Sequence, residues 1–310
     1  MKPWISSGAS WGIGWKEVNQ LQSLVNVVVL ASLYCLICFG YVLVYRTSRV
    51  LNLAHGELMT LGGYFLYTIV LNLTTHPITS FVAASLISLA LGFLIYFILM
   101  RFMTGTSIVS AVLVTIALGI LLRGLTTLSW TSQSLHPFQY ISMAKHSYQI
   151  IEGARISTFG IIKICGAILM YLGLVLCFKF TRWGIRMRAV GESPLLASFR
   201  GIKIHKYYAL SWGIAVLSGG LAGMIQACDS GLEPEMFVIG LKAIPVVMVG
   251  GLDSLGGVIL GAFVVAAAEI LAINYISPQA SEVAPFAVLL GMLLIRPWGL
   301  FGTKEELERV

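Results

Sequence analysis

The sequence predicts an all-α protein: a polytopic transmembrane helix bundle of about 8–10 spans with one short cytoplasmic helix. Three observations predict it. Of 310 residues, 58% are hydrophobic and 11% are charged, where a soluble domain carries about 25% charged residues. The mean hydropathy of +0.90 leaves too few charges to cover a water-facing surface, so lipid takes the place of most of it. The apolar residues gather in runs near 21–45, 56–73, 80–100, 106–123, 158–178, 207–227, 237–252, 255–275 and 283–296. The longer runs match the roughly 17–25 residues of a spanning helix, and the shorter or Gly-broken ones fit discontinuous helices lining a cavity.

The division expected is an external or interfacial segment, residues 1–20, and a single transmembrane domain, residues 21–310. Met1 to Asn19 is rich in Gly, Ser and Trp and lacks a compact apolar core, so it does not read as a cleaved signal. Its Trp11 and Trp15 suit a membrane interface.

Lys and Arg set the orientation. Arg46, Arg49 and Arg101, the run from Lys179 to Lys206, and Arg296, Lys304 and Arg309 fall in one set of connections. Glu152, Asp229, Glu233, Glu235 and Glu282 fall in the other. The basic set is expected in the cytoplasm, which places the N-terminus outside and the C-terminus inside. The net charge of +7 thus reads as membrane topology and implies no nucleic-acid partner.

Two connections are long. The external one, Gly124 to Ser157, is expected to hold a short surface helix. The internal one reads "RWGIRMRAVGESPLLASFRGIKIHK". There Ser193 is an N-cap, Pro194 occupies the first helical position, and Gly201 ends the turn after Arg200. A helix of about two turns is too short to stand alone. Leu195, Leu196 and Phe199, with the small Ala197 between them, pack either on the protein's own spans or in a groove of a cytoplasmic partner.

Catalytic motifs are missing. No G-x-x-x-x-G-K-[ST] occurs, "HGELM" is not a zinc-protease motif, and no G-x-S-x-G is present. No metal site is expected. Cys35, Cys38, Cys165, Cys177 and Cys228 read as small packing residues without disulfides.

Charges inside apolar runs need a reason, because each costs about 2.5–3.5 kcal/mol at the bilayer centre on insertion scales. Lys242 and Glu269 stand at matching depths in neighbouring antiparallel runs and are expected to form an intramembrane ion pair that supports the bundle; the alternative is that Lys242 snorkels outward and Glu269 is neutral. "LNLAHGEL" sets Asn52, His55 and Glu57 between two apolar runs. His55 and Glu57, two apart, point different ways and are no metal pair. One reading is a helix break or start lining a translocation path, with Asn52 as cap, Gly56 allowing close approach, and Glu57 meeting another helix or an arginine. The other is a capped span that starts at the cytoplasmic interface. Gly219-Gly220-x-x-Gly223 and Gly257-x-x-x-Gly261 suit tight helix packing, and "GGLDSLGG" reads as a tight turn.

Together, "LNLAHGELMTLGGY", "RAVGESPLLASFRGI", "GLKAIPVVMVGGLDSLGGVILGAF" and "LLIRPWGLFG" resemble the permease subunits of branched-chain amino acid ABC importers, over nearly the whole chain after Leu21. The resemblance implies a bacterial inner-membrane, multi-pass subunit working with a second homologous permease subunit, two cytoplasmic ATPase subunits and an external solute-binding protein. ATP and Mg belong to the ATPases, and this chain holds no cofactor and is no enzyme. The segment Glu192-Ser193-Pro194-Leu195-Leu196-Ala197, on through Phe199, Arg200 and Gly201, then corresponds to the coupling helix. Branched-chain or other apolar amino acids are the implied solutes. Within the family, permeases for urea and short amides or for aromatic acids are the alternatives. Outside it stands an ATP-independent secondary transporter or channel.

Overall fold

The computed structural model describes residues 11–130, 133–142, 144–151 and 154–302, with residues 11–19 and 151 as backbone only. The helices are α1 (Trp11–Ser48), α2 (His55–Asn72), α3 (Pro77–Ile95), which runs through a π-helical turn (Tyr96–Met100) into α4 (Arg101–Met103), α5 (Ile108–Trp130), α6 (Thr158–Phe180), α7 (Arg182–Glu192), α8 (Pro194–Phe199), α9 (Ile204–Ser230), α10 (Phe237–Gly250), α11 (Leu255–Tyr275) and α12 (Ala280–Ile295). Six of them are long and apolar enough to cross a membrane. The shorter α2, α10 and α12 have 18, 14 and 16 residues. Most of the expected N-terminal segment, with the Trp11 and Trp15 side chains, lies outside the described residues. So do Glu152, Lys304 and Arg309.

α1 is the central post. Every residue from Ala31 to Val44 is buried, as a helix that is apolar all round must be. α2, α6, α9, α10 and α11 surround it. α3, α5 and α6 carry the outward apolar faces, among them Leu86, Ile120 and Leu169.

Two helices begin inside this bundle. His55, the first residue of α2, lies against Ile37 and Gly40 of α1. Those residues stand 11 and 8 positions before the end of α1 at Ser48, about 12–17 Å at a rise of ~1.5 Å per residue. Residues 49–54 therefore turn back, with Arg49 at φ 56°, and run alongside α5, where the Leu53 amide donates to Thr115 Oγ1 at 3.1 Å. α10 also starts within the bundle. Gly231 at φ 99° ends α9, and Leu232 pairs with Leu135 as an isolated antiparallel bridge. Phe237, at the head of α10, then meets Gly56.

α2 and α10 run in opposite directions. α2 lies parallel to α9, matching Met59 with Gly223 and Gly63 with Ala227, and α9 is antiparallel to α1. α10 is antiparallel to α11, matching Gly250 with Gly257, Val246 with Gly261 and Lys242 with Glu269. α11 in turn is antiparallel to α1, pairing Glu269 with Tyr34 and Asn274 with Ser23. The two helix N-termini thus meet inside the molecule, at Gly56 and Gly240. A Cβ on either would run into the other's backbone neighbourhood.

The connection expected to hold a surface helix is different. α5 continues through Gly124 to Trp130. A 3-10 turn follows at Pro137–Tyr140, then an antiparallel hairpin of β1 (Ser147–Ile151) and β2 (Ala154–Ser157). The β-branched and aromatic residues of "SYQII" and "ARIS" favour strands, and the Arg155 amide anchors the hairpin on Gln22 Oε1 at 2.8 Å. The other long connection makes two helices. Thr181 Oγ1 caps α7 by accepting from the Gly184 amide, and Ser193 Oγ caps α8 by accepting from the Leu196 amide. Gly201, at φ 74°, ends α8. In "GGLDSLGG", Gly251 at φ 109° makes the turn and Ser254 Oγ caps α11.

The α2–α9 contact rests on glycine, because a Cβ at Gly223 would overlap the Met59 carbonyl. Gly223→Val is expected to lower stability by about 1–3 kcal/mol. Gly173→Ala, where no atom lies within 4 Å, is expected to leave it unchanged or slightly raised. Thermal unfolding of the purified protein in detergent measures both.

Candidate functional site

At the meeting of α2 and α10 the polar residues of "LNLAHGEL" come together. Asn52 does not cap α2. The N-cap position is Ala54, which offers no side-chain bond, and Asn52 Oδ1 accepts instead from the Ala54 amide at 3.2 Å. Asn52 therefore shapes the turn before the helix, because it stands two residues upstream of the cap position and its carbonyl accepts from the His55 amide at 3.2 Å. His55 is fully buried, with Nε2 at 3.1 Å from the Ile37 carbonyl. A carbonyl only accepts, so Nε2 carries the proton and Nδ1 presents its lone pair. The ring packs on Gly40, Gly219 and Tyr41, whose ring centroid lies at 4.6 Å. His55 is thus surrounded by protein.

Glu57, in the first turn of α2, is buried and bonds through Oε1 to Arg123 Nη2 at 2.6 Å. Its charge at the helix start complements the exposed N–H groups there. The Arg123 guanidinium stacks on the Phe237 ring at 3.5 Å, and its side chain is 45% exposed. One arginine of α5 thereby ties the first turns of both interior-starting helices. Sequence reasoning allowed Glu57 an arginine without finding which. The signal was Arg123 itself, the lone charge at the end of the apolar run 106–123.

Lys242 Nζ donates to Glu269 Oε1 at 2.8 Å, and Tyr34 donates to Glu269 Oε2 at 2.6 Å. A second ion-paired lysine, this one buried, was missed in the sequence. Lys163 of α6 pairs with Asp229 at 2.6 Å, and Lys145 approaches the same carboxylate at 3.3 Å. Lys163 also stands alone in an apolar run and carried the same signal as Lys242.

On the far side from these lysines, α8 projects its apolar residues. Leu195, Leu196 and Phe199 are 65%, 64% and 78% exposed, while Ala197 is buried against the body. Of the two sites expected for this apolar face, it does not occupy the protein's own spans. Glu192 closes α7, whose Gly191 presses on the Arg46 carbonyl. The Gly191 carbonyl accepts from Arg49 Nε at 3.4 Å. α7 and α8 are thus fastened to the end of α1 and to the start of the segment that leads to α2.

Helices that start inside a bundle, with irregular backbone satisfied by neighbouring protein, are the architecture of membrane transport proteins. That is the class this fold and site define: a multi-pass membrane transport subunit. The family model "Branched-chain amino acid transport system / permease component" matches residues 23–295, and the chain belongs to that family. It is 29% identical over 305 residues to the high-affinity branched-chain amino acid transport system permease protein LivH of Salmonella typhimurium, covering 94% of this chain and 97% of the relative. It is 27% identical over 307 residues to BraD of Pseudomonas aeruginosa, covering 94% and 98%. It is 25% identical over 315 residues to a probable LivH of Methanocaldococcus jannaschii, covering 95% and 97%.

Glu57→Gln keeps the shape and removes the charge that holds Arg123. It is expected to cost about 1–3 kcal/mol of stability, with Arg123→Ala costing at least as much because it leaves the buried Glu57 carboxylate unpaired. Detergent melting curves of the two variants, compared with the double variant, measure the coupling.

Proposed function

We propose that the chain is the membrane-spanning half of an ATP-driven importer for branched-chain or other apolar amino acids. In this reading it works with a second homologous permease subunit, two cytoplasmic ATPase subunits and an external binding protein that delivers the solute. ATP and Mg act in the ATPases. Residues 21–310 form the single permease domain of a bacterial inner-membrane protein, with residues 1–20 outside and the C-terminus in the cytoplasm. The relatives named for branched-chain amino acid transport favour amino acids over urea or short amides as solute.

The observation that carries this reading is the protruding α8. Leu195, Leu196 and Phe199 are water-exposed on a helix that the bundle holds from behind. An exposed apolar cluster of this kind marks a contact site. Its placement among basic connections fits the cytoplasmic side. Seated in an ATPase groove, α8 moves with that subunit as nucleotide is bound and released. Through α7 the motion reaches Arg46 and Arg49, then residues 49–54, then the start of α2 at Asn52, His55, Gly56 and Glu57. Because α2 and α10 touch there and Arg123 spans both, a shift of one start displaces the other. This gives a route by which the bundle alternates between its two openings.

Co-purification and ATP-dependent uptake in proteoliposomes test it. Leu196→Asp combined with Phe199→Asp is expected to abolish both capture of the ATPase chains and uptake, while the permease still inserts in the membrane. Persistence of ATPase binding and uptake in that variant overturns the coupling role. Uphill transport by the chain without any ATPase overturns the importer reading itself.

A further inference from the structure

A cavity of about 390 Å3 lies between α1, α6, α9, α10 and α11, within the range of about 300–1,000 Å3 typical of small-ligand sites. It is lined by two lysines, the buried Lys163 and the partly buried Lys242, and by Glu269, Tyr34 and Gln226. Its remaining wall includes Leu33, Ile239, Ile270 and Ile273. It lies toward the end of α1 that carries Asn26 and Ser23, opposite α7 and α8.

A pair that merely held helices together would be complete in itself. Here the groups retain unused bonding capacity toward open volume. The Lys242 ammonium has three donors, one of which goes to Glu269. Lys163 has one directed at Asp229. Gln226 donates through Nε2 to Ser230, yet its buried Oε1 has no partner. One concave space thus offers N–H donors of positive charge, oxygen acceptors and a branched aliphatic wall. Placing charges in this setting is costly, and a buried ion pair by itself adds little stability.

We propose that this cavity is a recognition subsite for the free zwitterion of an aliphatic α-amino acid. Lys242 and Lys163 receive the α-carboxylate, Gln226 Oε1 and Glu269 accept from the α-ammonium, and Ile239, Ile270 and Ile273 contact the side chain. The subsite rests on the importer reading above and deepens it, because it gives the permease a selectivity of its own on the face where solute arrives. An ethanolamine phospholipid headgroup shares the ammonium-and-oxyanion chemistry and is separated from the amino acid by the experiment.

The complex of permeases, ATPases and binding protein is reconstituted in liposomes, and rates for leucine and valine are compared at saturating binding protein. Ile270→Phe narrows the cavity and is expected to shift the valine-to-leucine ratio by about tenfold, the discrimination a methylene carries in an apolar pocket. The exchange of Lys242→Glu with Glu269→Lys restores an ion pair, and is expected to restore assembly by co-purification but to leave uptake at least about tenfold below wild type. An unmoved solute ratio, together with uptake recovered by the exchange, overturns the subsite and leaves the importer reading standing. Retention of phosphatidylethanolamine by the wild-type complex and its loss in Gln226→Leu, read by native mass spectrometry, assigns the cavity to lipid and likewise overturns the subsite. If the wild-type complex itself shows no ATP-dependent uptake, the importer reading falls and the subsite falls with it.

Discussion

The contact between the first turns of α2 and α10 is the constraint on which the rest of the molecule depends. A helix start leaves backbone N–H groups without intrahelical partners, and an apolar interior offers no water to take them. This protein places two such starts inside the bundle and supplies what they need locally. Asn52 accepts from Ala54, Thr115 accepts from Leu53, and the Glu57 carboxylate sits in the first turn of α2. Gly56 and Gly240 let the two backbones approach with no side chain between them. Arg123 then neutralises Glu57 while stacking on Phe237, so the junction carries little net charge. Any side chain at Gly56 or Gly240 would force the two helices apart and expose polar backbone to apolar surroundings.

Around that junction the bundle is organised by close packing of small residues. Within lipid there is little hydrophobic drive for helices to associate, and contact area depends on how near two backbones can come. α9 supplies Gly219 for the His55 ring, Gly220 for Gly62 and Gly223 for Met59. α10 and α11 meet through Gly250, Gly257 and Gly261. His55 belongs to this packing as much as to the polar cluster. Its ring fills the space that Gly40 and Gly219 leave, and its one bond to the Ile37 carbonyl ties the start of α2 to α1.

The same junction joins the two faces of the protein. α7 rests on the end of α1 and bonds Arg49, and Arg49 begins the segment that rises to Asn52. On the other side, Lys242 stands on α10 itself, six residues from the head of that helix counting inclusively from Phe237. The proposed displacement at α8 and the proposed ligand of the lysine-lined cavity would therefore act on connected elements. Bistability at that junction would suffice to couple them.

How much of this was legible depends on the range of the interaction involved. Composition and apolar runs determined the helical membrane class. Local capping chemistry determined α8, since Ser193, Pro194 and Gly201 act within a few residues of one another. Depth brought Lys242 and Glu269 to one level, and the tertiary structure decided for the pair over a lysine that snorkels outward. The hairpin of β1 and β2 and the helix α7 were not read, as their patterns are short and their anchors, Gln22 and Arg46, lie far away in sequence. Which arginine meets Glu57, that α2 and α10 begin in the interior, and that Lys163 and Lys242 face one cavity were decided by tertiary structure. Each depends on which distant helices become neighbours, and periodicity within a segment carries no information about what packs against it.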